Sequence, residues 1–114
     1  MATTYNLTIA RGQAIDLEVT IQEDGSAYDV SGLTAAQLEY RAGRKSSPTT
    51  INYTIGSGIA LTTPASGVVT VSLSGTNTDL TPGKYLHELW IDDGTLDEPV
   101  FTGSLTITTS LKHA

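Results

Sequence analysis

From Ile15 to Gln22 the chain reads "IDLEVTIQ", apolar and polar residues alternating without a break. Successive side chains of an extended strand point to opposite faces. Ile15, Leu17, Val19 and Ile21 therefore share one face, with Asp16, Glu18, Thr20 and Gln22 on the other. A helix, with its period of about 3.6 residues, would scatter both sets around its circumference. The same two-residue rhythm returns along most of the chain, and no other feature constrains the fold as tightly.

Tyr5, Leu7 and Ile9 alternate in "YNLTIA", Ile51, Tyr53 and Ile55 in "INYTI", and Val69, Val71 and Leu73 in "VVTVSLS". In "AAQLEYRA", Ala36, Leu38 and Tyr40 alternate with Gln37, Glu39 and Arg41. Those residues favour a helix singly, but too few stand between Gly32 and Gly43 to complete one, so a strand is expected. Phe101, Leu105 and Ile107 share a side of "FTGSLTITT" with Gly103, whose missing side chain marks a bulge or a close backbone approach. Asp24-Gly25 and "PASG" read as turns, "GRKSSPTT" as a polar loop, and "GTNTDLTPG" as the longest connection, with room for one helical turn.

Seven to eight short strands result, with a turn roughly every eight to twelve residues. The expected fold is all-β: an immunoglobulin-like antiparallel β-sandwich with Greek-key connections, one domain over residues 1–114. A closed barrel has the same periodicity and is the structural alternative.

The chain has no cysteine, which removes disulfides, thiolate metal sites and cysteine nucleophiles and points to a reducing cytoplasm as its place of synthesis. A net charge of -6 speaks against a nucleic-acid binder, which needs a basic stripe to displace phosphate counterions. No apolar run approaches the roughly 20 residues that span a bilayer, and the start shows no leader, so no membrane partner is expected. No nucleophile elbow, phosphate-cradling loop or paired-histidine motif is present, so neither catalytic residues, a cofactor nor a metal site is expected.

"LTPGKYLHELWIDDG" carries the candidate sites. Tyr85 follows a Pro-Gly turn at the start of a strand, the position of a tyrosine corner, whose hydroxyl bonds backbone a few residues upstream. Alternation turns Tyr85, His87, Leu89 and Ile91 inward and Leu86, Glu88, Trp90 and Asp92 outward. His87 lacks a second ligand or base at a telling spacing and is read as a hydrogen-bonded core imidazole. An outward tryptophan beside a leucine suits a partner surface, so Trp90, Leu86, Glu88 and Arg41 are the candidate contact residues. The competing reading covers the Trp90 ring with a neighbouring loop or with the stems of Arg41 and Lys84. "RAGRKSSP" adds a basic cluster of Arg41, Arg44 and Lys45. The acidic turn at Asp92, Asp93, Asp97 and Glu98 is a solvated hairpin by spacing, with calcium as the lesser alternative.

In order and spacing these motifs resemble immunoglobulin-like structural domains of tailed bacteriophages, among them the N-terminal domain of baseplate upper proteins. "LTIARGQAIDLEVTIQEDGSAYDVSGLTAAQLEYR" matches the opening half, and "GIALTTPASGVVTVSLSGTNTDLTPGKYLHELWIDD" with "FTGSLTIT" the second. The resemblance implies a non-enzymatic virion structural protein, made in the bacterial host cytoplasm and assembled onto the particle. Its partners would be capsid, neck or tail subunits and further copies of itself, as a homo-oligomer or symmetric array. Ending at Ala114, the chain lacks a fibre extension, which favours a capsid decoration, neck or tail accessory over a baseplate or tail-fibre adaptor. The alternative of a different class is a carbohydrate-binding module, with Trp90 stacking on a sugar and Tyr28, Tyr40 or Tyr53 beside it.

Overall fold

A computed structural model describes residues 3–113, and of residues 48 and 49 the backbone alone. Among the described residues there are eleven strands, nine of which assemble into two layers. The first layer holds β1 (Thr3–Thr4), β2 (Leu7–Ala10), β6 (Leu38–Arg44), β7 (Ser47–Ile55), β10 (Gly83–Asp92) and β11 (Asp97–Thr108). The second holds β3 (Ile15–Thr20), β8 (Gly58–Thr63) and β9 (Val68–Leu73). A small hairpin of β4 (Gln22–Glu23) and β5 (Ser26–Ala27) stands apart. Hydrogen bonding runs β1-β11-β10-β6-β7-β8-β9-β3, with β2 also on β11. This is the strand arrangement of an immunoglobulin-like β-sandwich.

The strands are not all antiparallel as the pattern suggests. β1 and β2 both run parallel to β11, and β7 runs parallel to β8 through Thr54–Gly58 and Ile55–Ile59. That short pairing joins the two layers along one side, so the sheet curls part of the way toward a barrel. On the other side the edge of β3 stays unpaired among the described residues. Tyr5 and Asn6 interrupt the first strand, which raises the count beyond eight.

Burial follows the period-two rule. Leu17 and Val19 lie beside Val71 and Val69 on the inward face of the second layer, joined there by Ile21 and Leu73, while Asp16, Glu18 and Thr20 are exposed. Leu38, Leu89, Ile91 and Leu105 are fully buried, each contributing roughly 1.5–3 kcal/mol relative to an exposed side chain. Asp24 and Gly25 have φ of 52° and 79°, the positive pair that a tight hairpin turn demands.

Two local expectations change. The strand assigned to Ala36 begins only at Leu38. Residues Ala35–Gln37 form a 3-10 turn instead, closed by the Gln37 side chain accepting from the Thr34 amide at 2.8 Å, and Ala36 is exposed. The polar loop over 43–50 is a hairpin turned tightly at Lys45–Ser46, with Arg44 paired to Ser47. Polar residues at the tip of a hairpin read as a loop because either state can expose them. In the long connection the Thr78 amide donates to the Ser74 carbonyl at 3.0 Å, a single turn without a helix.

Candidate functional site

The outer face of β10 carries, in order, Lys84, Leu86, Glu88, Trp90 and Asp92. Register sets Ser104 and Gly43 on either side of Leu86, Thr102 and Arg41 beside Glu88, and Pro99 and Glu39 beside Trp90. Leu86 is 56% exposed and Trp90 36%, the two large apolar side chains that any sheet face leaves open among the described residues. The four candidate contact residues, Trp90, Leu86, Glu88 and Arg41, thus share one continuous patch.

The patch is not uniform. At its lower end Gly43 has no side chain, so Leu86 floors a shallow groove of about 620 Å³ rimmed by Lys84, Lys45, Arg44 and Arg41. Four of the six basic residues of an acidic chain line this groove. At its upper end Trp90 lies among Glu39, Glu88 and Asp92 beside a smaller hollow of about 300 Å³. The indole Nε1 donates to Asp97 Oδ1 at 2.7 Å, tying the ring to the other strand of the hairpin, and Arg41 Nε donates to Glu39 Oε1 at 2.8 Å. Arg41 borders the Trp90 hollow, but Lys84 lies in the Leu86 groove instead of over the indole. Arg44 takes a separate role: its guanidinium stacks 4.6 Å over the Tyr85 ring.

Asn6, Gly43 and Ser104 belong to the groove and were not singled out by sequence reasoning. Counting two residues on from Arg41 reaches Gly43, so that signal was present. Asn6 had none, because its place depends on how β2 docks: its Oδ1 accepts from the Ser104 amide at 3.0 Å.

Beneath the patch the interior of this layer is polar and aromatic. His87 is buried, with Nε2 2.7 Å from the Tyr5 carbonyl oxygen and Nδ1 2.9 Å from the Tyr40 hydroxyl. A carbonyl only accepts, so Nε2 carries the proton and Nδ1 accepts from Tyr40. Burial lowers the His87 pKa, opposed by the Tyr5 bond, and keeps the ring neutral. Burial likewise raises the Tyr40 hydroxyl and keeps it a donor. Both ring nitrogens are satisfied from within, which leaves neither facing a substrate. The Tyr5 carbonyl also passes directly over Gly103, where a Cβ would lie 1.9 Å from it. Tyr85 donates its hydroxyl to the Thr81 carbonyl at 2.6 Å, four residues upstream, the geometry of a tyrosine corner.

Tyr40 and Tyr53 do not stand beside Trp90 as a sugar platform would need. Both are buried, their rings stacked with centroids 6.0 Å apart in the core. Alternation had already placed them inward with Leu38 and Ile51. Tyr28 is half-buried and donates its hydroxyl to Asp93 Oδ2.

The acidic turn is organised by its own chain. Asp93 Oδ1 accepts from the amides of Leu96 at 2.7 Å and Thr95 at 2.9 Å. With the Tyr28 bond first and the Leu96 amide second, these contacts hold the Asp93 carboxyl below its ordinary range. Tyr28 is pushed up to about 12, chiefly by the same hydrogen bond. Among the described residues no three metal-ligating side chains converge, and no helix is long and apolar enough to cross a membrane.

No protein-family model matches the chain, and no curated protein matches it in sequence. Two solved structures are similar in fold. One is the NK cell receptor Nkp44, at 14% identity and a TM-score of 0.46, over 96% of this chain and 100% of that one. The other is Tim-1, at 19% identity and a TM-score of 0.45, over 97% of each chain.

Proposed function

We propose that this protein is a non-enzymatic virion structural subunit of a tailed bacteriophage, a capsid decoration, neck or tail accessory that works by protein–protein contact. One observation supports contact as the mode of action. Leu86 and Trp90 stand open on the same strand face, two residues either side of Glu88, where an isolated domain gains nothing from exposing them. The placement in a virion rests on the resemblance of the ordered motifs between Leu7 and Thr108. The buried positions of Tyr40 and Tyr53 weigh against the carbohydrate-binding alternative, since a lone indole offers a sugar one stacking surface only.

Particles purified from infected cells test this reading by mass spectrometry. The chain is expected at fixed stoichiometry, and Trp90→Ala together with Leu86→Asp is expected to deplete it while the isolated domain still folds. Absence from particles, coupled with glycan binding that vanishes in Trp90→Ala, would sink the proposal.

A further inference from the structure

The outer row of β10 is complementary to its own reversal. About Glu88 as centre, Leu86 and Trp90 are both apolar, and Lys84 and Asp92 are opposite in charge. The neighbouring strand extends the pattern, with acidic Glu39 beside Trp90 and the basic groove of Lys45 and Arg44 beyond Gly43. We infer that the partner of this face is a second copy of the chain, docked face to face with its β10 strand antiparallel. The two-fold axis runs across the strands at the Glu88–Arg41 row.

In that arrangement Leu86 of each copy meets Trp90 of the other, and the Gly43 groove receives the indole edge. Lys84 of each meets Asp92 of the other, twice over by symmetry. On the axis Glu88 meets Glu88 and Arg41 meets Arg41, and because the two stand side by side each glutamate also has the other copy's arginine beside it, so the row is neutral as a whole. A two-fold contact must be self-complementary, because the same patch serves both subunits. Turning the axis to lie along the strands instead sets Glu88 on Arg41, but it brings Lys84 onto Lys45 and Trp90 onto Glu39, which gives up both Lys84–Asp92 pairs and buries a carboxylate against an indole. The opposite face of the sandwich cannot take the same part: β3, β8 and β9 carry no basic residue and no exposed large apolar one. The inference rests on the reading of this face as a contact surface, but not on the identity of the particle.

Sedimentation equilibrium on the full chain at low salt is expected to show a reversible dimer, weakened in high salt as screening removes the Lys84–Asp92 pairs. Lys84→Asp alone and Asp92→Lys alone should each weaken the dimer by about tenfold or more. Lys84→Asp combined with Asp92→Lys in one chain should recover it, since the charges are exchanged end for end. Asp16→Lys with Glu18→Lys on the opposite face should leave it unchanged. Lys84 and Asp92 are exposed, and melting curves followed by circular dichroism verify that every variant folds. A chain that stays monomeric at millimolar concentration in low salt overturns the inference. So does a dimer indifferent to both single reversals, or one that the paired reversal does not restore. A dimer that never enters a particle would refute the virion role alone, and a monomer that does enter would refute the dimer alone.

Discussion

The two layers of the sandwich are built from different chemistry on both surfaces. The layer of β3, β8 and β9 is aliphatic within, through Leu17, Val19, Ile59, Val69, Val71 and Leu73. Outside it is hydroxylic and acidic, through Asp16, Glu18, Thr20, Thr62, Thr70 and Ser72. No lysine or arginine occurs from 12 to 40 or from 46 to 83. The layer of β6, β10 and β11 instead encloses Tyr5, Tyr40, His87 and Phe101 in edge-on and tilted contact, and displays Leu86, Trp90 and charges of both signs. The layer of β3, β8 and β9 is a solvated wall. Its acidic outer row also guards the free edge of β3 against pairing with another strand. The layer of β6, β10 and β11 is hydrogen-bonded inside and stickier outside. A surface that must hold Leu86 and Trp90 in fixed positions needs a rigid backing, and the buried hydrogen bonds of His87 supply it.

The largest effect should come from the junction where that backing meets the first strand. Gly103→Ala puts a methyl group 1.9 Å from the Tyr5 carbonyl oxygen, so β1 and β2 must move off β11 and the His87–Tyr5 bond lengthens. A loss of about 3 kcal/mol is expected from forced overpacking against backbone, measured by urea unfolding. A stability unchanged by this substitution would show that the first strand is only loosely attached, and the contrast between the layers would lose its cause.

Acid should act on one layer and spare the other. Burial lowers the His87 pKa from 6.5, so the unfolded chain takes up its proton at a higher pH than the folded chain does. Stability is therefore full above about pH 6.5 and falls as pH drops below it, at up to about 1.4 kcal/mol per pH unit until the folded imidazole also titrates. His87→Gln keeps a donor for the Tyr5 carbonyl and an acceptor for the Tyr40 hydroxyl while removing the proton. Its stability should be flat between pH 6.5 and 5. Equal acid sensitivity in native and variant chains would assign the effect elsewhere.

How much of this could be read from the sequence depends on whether a feature is local. The inward and outward sets of β10 follow from alternation alone, and Leu86, Glu88, Trp90 and Asp92 face out as that rule requires. Gly103 was legible as a place of close approach because an absent side chain interrupts an apolar row. The approaching group, the Tyr5 carbonyl, was not, since it arrives from 98 residues away. The parallel pairings of β1, β2 and β7 were equally hidden, because periodicity fixes faces and says nothing of neighbours. Ala36 was misplaced for a local reason that composition obscures: Gln37 folds back to the Thr34 amide and delays the strand by two residues. Of the basic groove, Arg41, Arg44 and Lys45 were legible as a cluster, but Lys84 was not, because it stands 39 positions from Lys45 and joins them only through the β6–β10 register.

The smallest effect concerns what ties the two layers together at their crossover. The connection leaving β9 carries Thr81, whose carbonyl accepts from the Tyr85 hydroxyl at the start of β10. Tyr85→Phe deletes that bond and keeps the buried ring together with the Arg44 guanidinium stacked above it. Thr81 is exposed, so water takes over its freed carbonyl and the penalty for an unpaired acceptor does not arise. A cost of about 1 kcal/mol follows, seen as a melting temperature lower by about 4 °C with an unchanged denaturant slope. A much larger loss would mean that the hydroxyl holds the layers in register and is more than an added bond. A changed slope would mean that the connection itself had come loose, with the two layers no longer unfolding as one unit.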